Sequence, residues 1–129
     1  MIEVTNAIRS LLIAEPNLMV LLNNEPERIR PVHPDIQNPA YPHITICRLE
    51  GGSNERHLAT ELIQQIDVWS KNGPGELWDI YQWINLLMNS KELPGVKTLM
   101  VKEIFVSDNF YNPDTMIDHL VSKYKVIVK

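Results

Sequence analysis

Residues 43–50, HITICRLE, and residues 58–70, LATELIQQIDVWS, are the two stretches that decide the fold. Both alternate apolar and polar positions and are rich in β-branched residues, which is the pattern of β-strands. Residues 51–54, GGSN, lie between them and form a strong turn signal. Because the two strands are close in sequence, we expect them to form an antiparallel hairpin.

Upstream of this hairpin the sequence predicts one amphipathic helix and an irregular connection. Apolar residues recur at helical spacing in residues 2–14, and Pro16 ends or interrupts that helix. Residues 17–22 can add one more short turn. Five prolines in residues 25–42 remove amide donors that a helix or strand interior needs, which indicates an irregular connection with a short extended piece around Ile29.

Downstream of the hairpin the sequence predicts a second helix and a second pair of strands. Pro74 suits the first turn of a helix, and apolar side chains form one stripe through residues 74–90. Residues 97–107 and 117–128 are expected to be strands separated by a polar turn. The order helix, hairpin, helix, hairpin predicts an α+β fold, a four-stranded, mainly antiparallel sheet with two helices packed on one face.

Length and composition fit one domain over residues 1–129, with 44% apolar residues, 22% charged residues and a formal net charge of -4. This mildly acidic balance argues against dedicated nucleic-acid binding, which draws its affinity from Lys and Arg on phosphates. Cys47 is the only cysteine, so an internal disulfide is excluded. Without a signal segment or an apolar run of roughly 20 residues, we expect cytoplasmic synthesis and no membrane association.

The sequence lacks the residue patterns of known catalytic and cofactor sites, such as a nucleophile elbow, a phosphate-binding glycine loop or a dinucleotide fingerprint. His33 and Asp35 lie two residues apart, but no third and fourth metal ligand cluster nearby. His43 and Cys47 are four apart on a strand, roughly 13 Å, which is too far for a nucleophile–base pair. We therefore expect no enzymatic activity, no metal and no cofactor.

The second face of the predicted sheet is not fully polar. The apolar residues that can lie on it are Ile44, Ile46, Ile63, Trp69 and Ile127. Apolar groups on both faces of a small sheet indicate a partner subunit. The alternative is that the proline-rich segment covers this face, and the sequence leaves both possibilities open.

Several motifs resemble a family of phage tail completion proteins. Residues 41–46, YPHITI, resemble that family's first strand, in which a proline precedes alternating apolar positions, and a small-residue loop follows at residues 49–53. Residues 66–70, IDVWS, resemble the end of its second strand and are the sharpest of these motifs. The resemblance covers nearly the whole chain, and its motifs are structural rather than catalytic.

This family is similar to the tail terminator and tail-to-head joining proteins of siphophages and related prophages. The resemblance implies a structural protein of the virion tail, made in the host cytoplasm, that assembles as a hexameric ring without a cofactor. The ring would cap the tail tube protein and offer a joining surface to the head–tail connector protein. DNA would pass through the lumen without specific binding, because carboxylates along the wall repel phosphates.

Candidate assembly contacts follow from loop chemistry and from large aromatic side chains. The polar segment from Gly51 to His57 is expected to order on docking, with an ordinary hairpin turn as the alternative. Tryptophan is enriched at protein interfaces. The candidate contacts are Gly51, Gly52, Ser53, Asn54, Glu55, Arg56, His57, Trp69, Trp78 and Trp83.

Two other functions remain open from the sequence. One is a head-side adaptor or minor capsid component, which would dock on heads rather than on tails. The other is a small ferredoxin-like module that binds RNA or a peptide. Such a module would be a monomer or dimer and would carry aromatic groups on its open sheet face.

Overall fold

A computed structural model describes residues 2–31, 40–53, 59–89 and 92–129 of the chain. These residues form three α-helices, one short 3-10 helix and six β-strands. In chain order the elements are α1 (Ile2–Ile13), α2 (Pro16–Leu21), the 3-10 helix (Pro26–Arg28), β1 (Ile29–Pro31), β2 (His43–Ser53), β3 (Thr60–Ser70), α3 (Pro74–Met88), β4 (Thr98–Val106), β5 (Phe110–Asn112) and β6 (Ile117–Val128).

The six strands belong to one sheet with the order β1-β2-β3-β6-β4, and β5 pairs with β6 alongside β4. β1 runs parallel to β2, and the other neighbouring pairs are antiparallel. β3 and β6 form the centre of the sheet through a continuous register from Thr60–Val128 to Ser70–Asp118. The two halves of the sheet therefore meet along these two long strands.

The helices cover one face of the sheet. Buried apolar residues of all three helices form one core cluster with even-numbered residues of the central strands, such as Ile66 and Tyr124. Burying a large apolar side chain of this kind stabilises the fold by roughly 1.5–3 kcal/mol. The opposite side, called the open face here, carries the odd-numbered side chains of residues 43–47, 61–69 and 117–127. None of the helices described combines the length and the apolar character needed to cross a bilayer.

The predicted architecture of four strands and two helices is wrong, because three short elements also take part: α2 and β1, which the sequence indicated only as a short turn and a short extended piece, and β5, which it did not indicate. β1 has three residues and ends in Pro31, and its parallel pairing to β2 comes from tertiary contact. α2 has six residues. β5 pairs with β6 beyond the end of β4, and Ser107 lies between the two strands. The Ser107 N–H donates to the Val121 carbonyl, and the Ser107 hydroxyl accepts from the Val121 N–H.

The β2–β3 hairpin extends farther than the sequence predicts. Residues 51–53 still pair with residues 60–62, so they belong to β2 and not to the loop. The register shifts between Arg48 and Glu50, which is where the strand bulges. Glycine weakens a strand interior but still forms ladder hydrogen bonds. Gly51 and Gly52 therefore pair with β3, although the sequence predicted a turn there.

The five apolar residues predicted for the second face lie on different faces of the sheet. Ile44 and Ile46 point into the core and are buried. Ile63, Trp69 and Ile127 lie on the open face, as their register with β3 and β6 requires. Residues 32–39, which the sequence offered as a cover for this face, lie outside the described residues.

Candidate assembly surface

A row of rings crosses the open face near one end of the sheet. Strand register places His43, Trp69, His119 and Phe110 side by side on β2, β3, β6 and β5. The ring centroids of Trp69 and His119 are 3.6 Å apart with an angle of 7° between the planes, and the His43 ring stacks on the other side of Trp69 at 5.9 Å. Both faces of the indole are therefore covered by imidazole rings of the same chain.

Polar contacts hold this row in place. His119 Nε2 lies 2.7 Å from Asp67 Oδ2, and Gln65 Nε2 donates to Asp67 Oδ1 at 2.8 Å. The indole Nε1 of Trp69 donates to Thr45 Oγ1 at 3.3 Å. Because the polar edges of these side chains already have partners, the row is a rigid part of the sheet surface.

His43 is the buried end of the row. Burial lowers the pKa of His43 to about 4, because the charged imidazolium loses its hydration there. The Ala40 carbonyl, 3.1 Å from His43 Nδ1, raises this pKa, and the nearby Arg30 and Arg28 charges lower it. His43 is therefore a neutral, packed side chain at pH 7.

The described residues do not assemble a catalytic or metal-binding group. No three His, Cys, Asp or Glu side chains among them are placed to hold a metal ion. The His119–Asp67 pair resembles the base and orienting residue of a hydrolase, but no hydroxyl or thiol of the described residues hydrogen-bonds to it. Cys47 Sγ donates a hydrogen bond of 3.6 Å to the Arg48 carbonyl.

Large apolar side chains line the outer edge formed by β4 and β5. In the described part of the chain both strands pair only with β6, so their outer side is an open sheet edge. Phe110 is 58% exposed, Tyr111 52% and Met116 64%. We call the exposed apolar side chains on both faces of this edge, with Met116 in the turn after β5, the β4–β5 strip; its members are Leu99, Ile104, Phe105, Val106, Phe110, Tyr111 and Met116. A long apolar edge of this kind is a ready template for another chain.

The strip is anchored to the helix layer by one carboxylate of β4. The Tyr81 hydroxyl donates to Glu103 Oε2, and the Tyr124 hydroxyl lies 3.3 Å from the same oxygen. Burial raises the pKa of both tyrosines, and the adjacent Glu103 carboxylate raises it further, so both hydroxyls stay protonated as donors. This cluster fixes the position of β4 on helix α3.

The turn after β5 places Met116, a member of the strip, in an unusual backbone conformation. Asp114 N–H donates to Asn112 Oδ1 at 2.9 Å, and Met116 N–H donates to the Asn112 carbonyl at 2.7 Å. Met116 has a φ of 59°, which is uncommon for a residue other than glycine. Beside this turn lies a groove of about 310 Å³ between the strip and the row of rings, lined by Trp69, Phe110, Tyr111, Asn112, Thr115, Ile117 and His119.

Among the sequence-predicted contacts that the structure describes, the three tryptophans lie on different layers of the fold. Trp69 lies on the open face, whereas Trp78 and Trp83 lie on α3 and pack half-buried against the core. The rings of Trp78 and Tyr81 meet edge to face at 5.5 Å. Gly51, Gly52 and Ser53 are strand residues of β2, and Asn54, Glu55, Arg56 and His57 lie outside the described residues.

Sequence reasoning missed the β4–β5 strip. Its signal was present, because Ile104-Phe105-Val106 and Phe110-Tyr111 are apolar runs without the alternation of a half-buried strand. Such a run puts apolar side chains on both sides of a strand. Only the strand order shows that this strand is an edge and that these side chains are exposed.

The fold is shared with two solved structures. A chain of the virion of a native gene transfer agent particle matches with a TM-score of 0.68 and 10% sequence identity, over 96% of this chain and 92% of that chain. The gp17 protein of bacteriophage SPP1 matches with a TM-score of 0.63 and 16% identity, over 96% of this chain and 87% of that chain. No protein-family model and no curated protein matches the sequence. At these identities the likeness shows a common fold.

Proposed function

We propose that this chain is a structural subunit of a phage-type particle, which caps the tail tube as a ring and joins it to the head connector. The observation that carries the proposal is the β4–β5 strip, an open sheet edge with large apolar side chains exposed along its length. Surfaces of this kind meet other proteins. The fold shared with a virion chain and a phage protein supports the particle setting.

The proposed role is assembly, without a reaction or a cofactor. A closed ring, hexameric in the proposal, needs two complementary lateral surfaces on each subunit and a rotation that closes. The β4–β5 strip then serves as the docking surface toward a different protein of the particle, either the tail tube protein or the head connector protein. DNA passes through the lumen without a dedicated binding site, in keeping with the net charge of -4.

The aromatic row bears on the alternative of a small binding module for RNA or a peptide. That alternative expects aromatic groups on the open face, and the row is there. However, bases bind to such sheets by stacking on free ring faces. The faces of Trp69 are covered by His43 and His119. The rings at the two ends of the row are Phe110 and Tyr41, and Lys71 Nζ lies over the Tyr41 ring. This arrangement favours an assembly surface over a stacking platform.

The experiment that tests this function mixes the purified chain with purified tails that lack it and, separately, with purified heads. We expect the chain to cosediment with tails and to appear by electron microscopy as a ring at one tail end. The treated tails should then join heads. Binding to heads alone would instead support a head-side adaptor, and binding to neither would contradict the proposal.

A further inference from the structure

The outer edge of β4 offers its backbone groups to an extended polypeptide. Along an edge strand, N–H and C=O groups that no protein group pairs alternate, and another strand can pair with them in turn. β4 presents such an edge along Thr98–Val106, with register shifts between Thr98 and Met100 and between Glu103 and Phe105. Within the described residues, its backbone pairs with β6 on one side and with no backbone group on the other. The chemistry of this edge is therefore that of β-strand addition.

At the opposite edge of the sheet, β1 is a strand of three residues that covers Ile44–Ile46 of β2, and β2 continues past it to Ser53. The Ile29 carbonyl of β1 accepts a hydrogen bond of 2.7 Å from Arg9 Nε, and Arg9 Nη2 donates to the Pro26 carbonyl at 3.0 Å. Pro31 ends β1 without an N–H. β1 of a second copy therefore offers only three residues, one of them a proline, to place on β4.

Pairing of β4 with β4 of a second copy is opposed by charge. Lys102 is the middle residue of Thr98–Val106, so the antiparallel register that overlaps the two strands fully sets Lys102 opposite Lys102. Like charges directly opposite each other destabilise a strand pair. Glu103 does not compensate, because its carboxylate turns toward the helix layer and accepts the hydrogen bond of Tyr81.

The open face beside this edge is also positive. Lys102 pairs across the strands with Lys125, and Phe105 with Lys123. Lys125 Nζ has a carboxylate partner, Glu61 Oε1 at 3.3 Å, whereas Lys123 Nζ lies over the Phe105 ring at 5.1 Å. Within the described residues neither Lys102 nor Lys123 forms a salt bridge. A partner strand on β4 thus meets apolar groups and unpaired positive charge.

We propose that β4 binds an extended segment of a different protein, in which apolar residues alternate with acidic ones. The segment adds a strand to the sheet, its carboxylates face Lys102 and Lys123, and its apolar residues contact the β4–β5 strip. This inference deepens the proposed function, since it names the chemistry of the partner that docks on the strip, and it rests on the strip being an assembly surface.

The test uses the full chain, isotope-labelled for NMR, and two capped heptapeptides that alternate valine with glutamate or with lysine. We expect the glutamate peptide to shift amide resonances of β4 and β6 and to bind roughly tenfold more tightly than the lysine peptide. N-methylation of alternate residues in the glutamate peptide should abolish binding, because it removes the strand donors. Equal binding of the two charged peptides would overturn the proposal.

Two charge reversals complete the experiment. Lys102→Glu should weaken binding of the glutamate peptide roughly tenfold. Arg48→Glu, which replaces an exposed cation on β2, should leave this binding unchanged. Circular dichroism checks that both variants fold. If neither peptide binds and β4 amides become protected as protein concentration rises, a second copy covers the edge and the inference is wrong. Docking on tails is measured separately, so its loss with intact peptide binding would count against the proposed function alone.

Discussion

Trp69 and His119 stack face to face across β3 and β6, with 3.6 Å between their ring centroids. Such pairs stabilise a fold by about 0.5–1.5 kcal/mol beyond the area they bury. A double-mutant cycle of Trp69→Ala and His119→Ala, followed by urea unfolding, should therefore give a coupling energy of about 1 kcal/mol. The same cycle with Trp69→Ala and Arg48→Ala, which are not in contact, should give a coupling energy near zero. Equal couplings in the two cycles would contradict the stacked geometry.

The buried His43 should make stability depend on pH. Its pKa is about 4 in the folded chain and 6.5 in the unfolded chain, so between these values the unfolded state binds more protons. The free energy of unfolding should therefore fall as pH drops from about 6.5 to about 4, by on the order of 2 kcal/mol from this residue. His43→Asn retains a donor toward the Ala40 carbonyl but does not titrate, and its loss of stability over this range should be smaller. An identical pH profile for both proteins would exclude His43 as the cause.

Gln64 is a stability defect in the core. Its side chain is fully buried, and neither its Oε1 nor its Nε2 has a hydrogen-bond partner among the described residues. Gln64→Leu should raise the free energy of unfolding by about 1–2 kcal/mol, because an unsatisfied buried amide costs about that much. Gln65→Leu is the matched control, since Gln65 donates to Asp67 on the open face, and it should lower stability. Destabilisation by Gln64→Leu would indicate that a buried partner satisfies the amide.

The long elements of the fold could be predicted from the sequence, because their residues repeat a pattern several times. The apolar stripe of residues 74–90 corresponds to α3, Pro74–Met88, and the alternation in residues 117–128 corresponds to β6. The antiparallel hairpin of β2 and β3 also follows from alternation. The three-residue strands β1 and β5 take their hydrogen bonds from a neighbouring strand, so local pattern indicated an extended piece around Ile29 but not its pairing, and it did not indicate β5.

The candidate surface was less predictable than the fold. Trp69 was a predicted contact, and it lies in the row on the open face, but Trp78 and Trp83 lie on the helix layer. The row itself depends on register, since His119 is far from His43 in sequence and meets Trp69 only across strands. The exposure of Phe110 and Tyr111 depends on strand order, which places β5 at an edge and not in the centre.

Phe110 should matter for docking and not for folding. Its side chain is 58% exposed on the β4–β5 strip, so Phe110→Ser should change the free energy of unfolding by less than about 0.5 kcal/mol. The same variant should lose cosedimentation with tails, because a large apolar contact is removed from the docking surface. Leu86→Ser, at a 62% exposed position of α3, is the control and should bind tails normally. If both variants bind equally well, the strip is not the docking surface.

The central claim is that this chain completes a tail and joins it to a head. Electron microscopy of particles from cells in which only this chain is deleted tests that claim most directly, with the wild-type chain supplied from a plasmid as the control. We expect tail tubes of uncontrolled length, or tails that remain unattached to heads, and a return to normal particles with the plasmid. Tails of normal length joined to heads in the absence of the chain would contradict it.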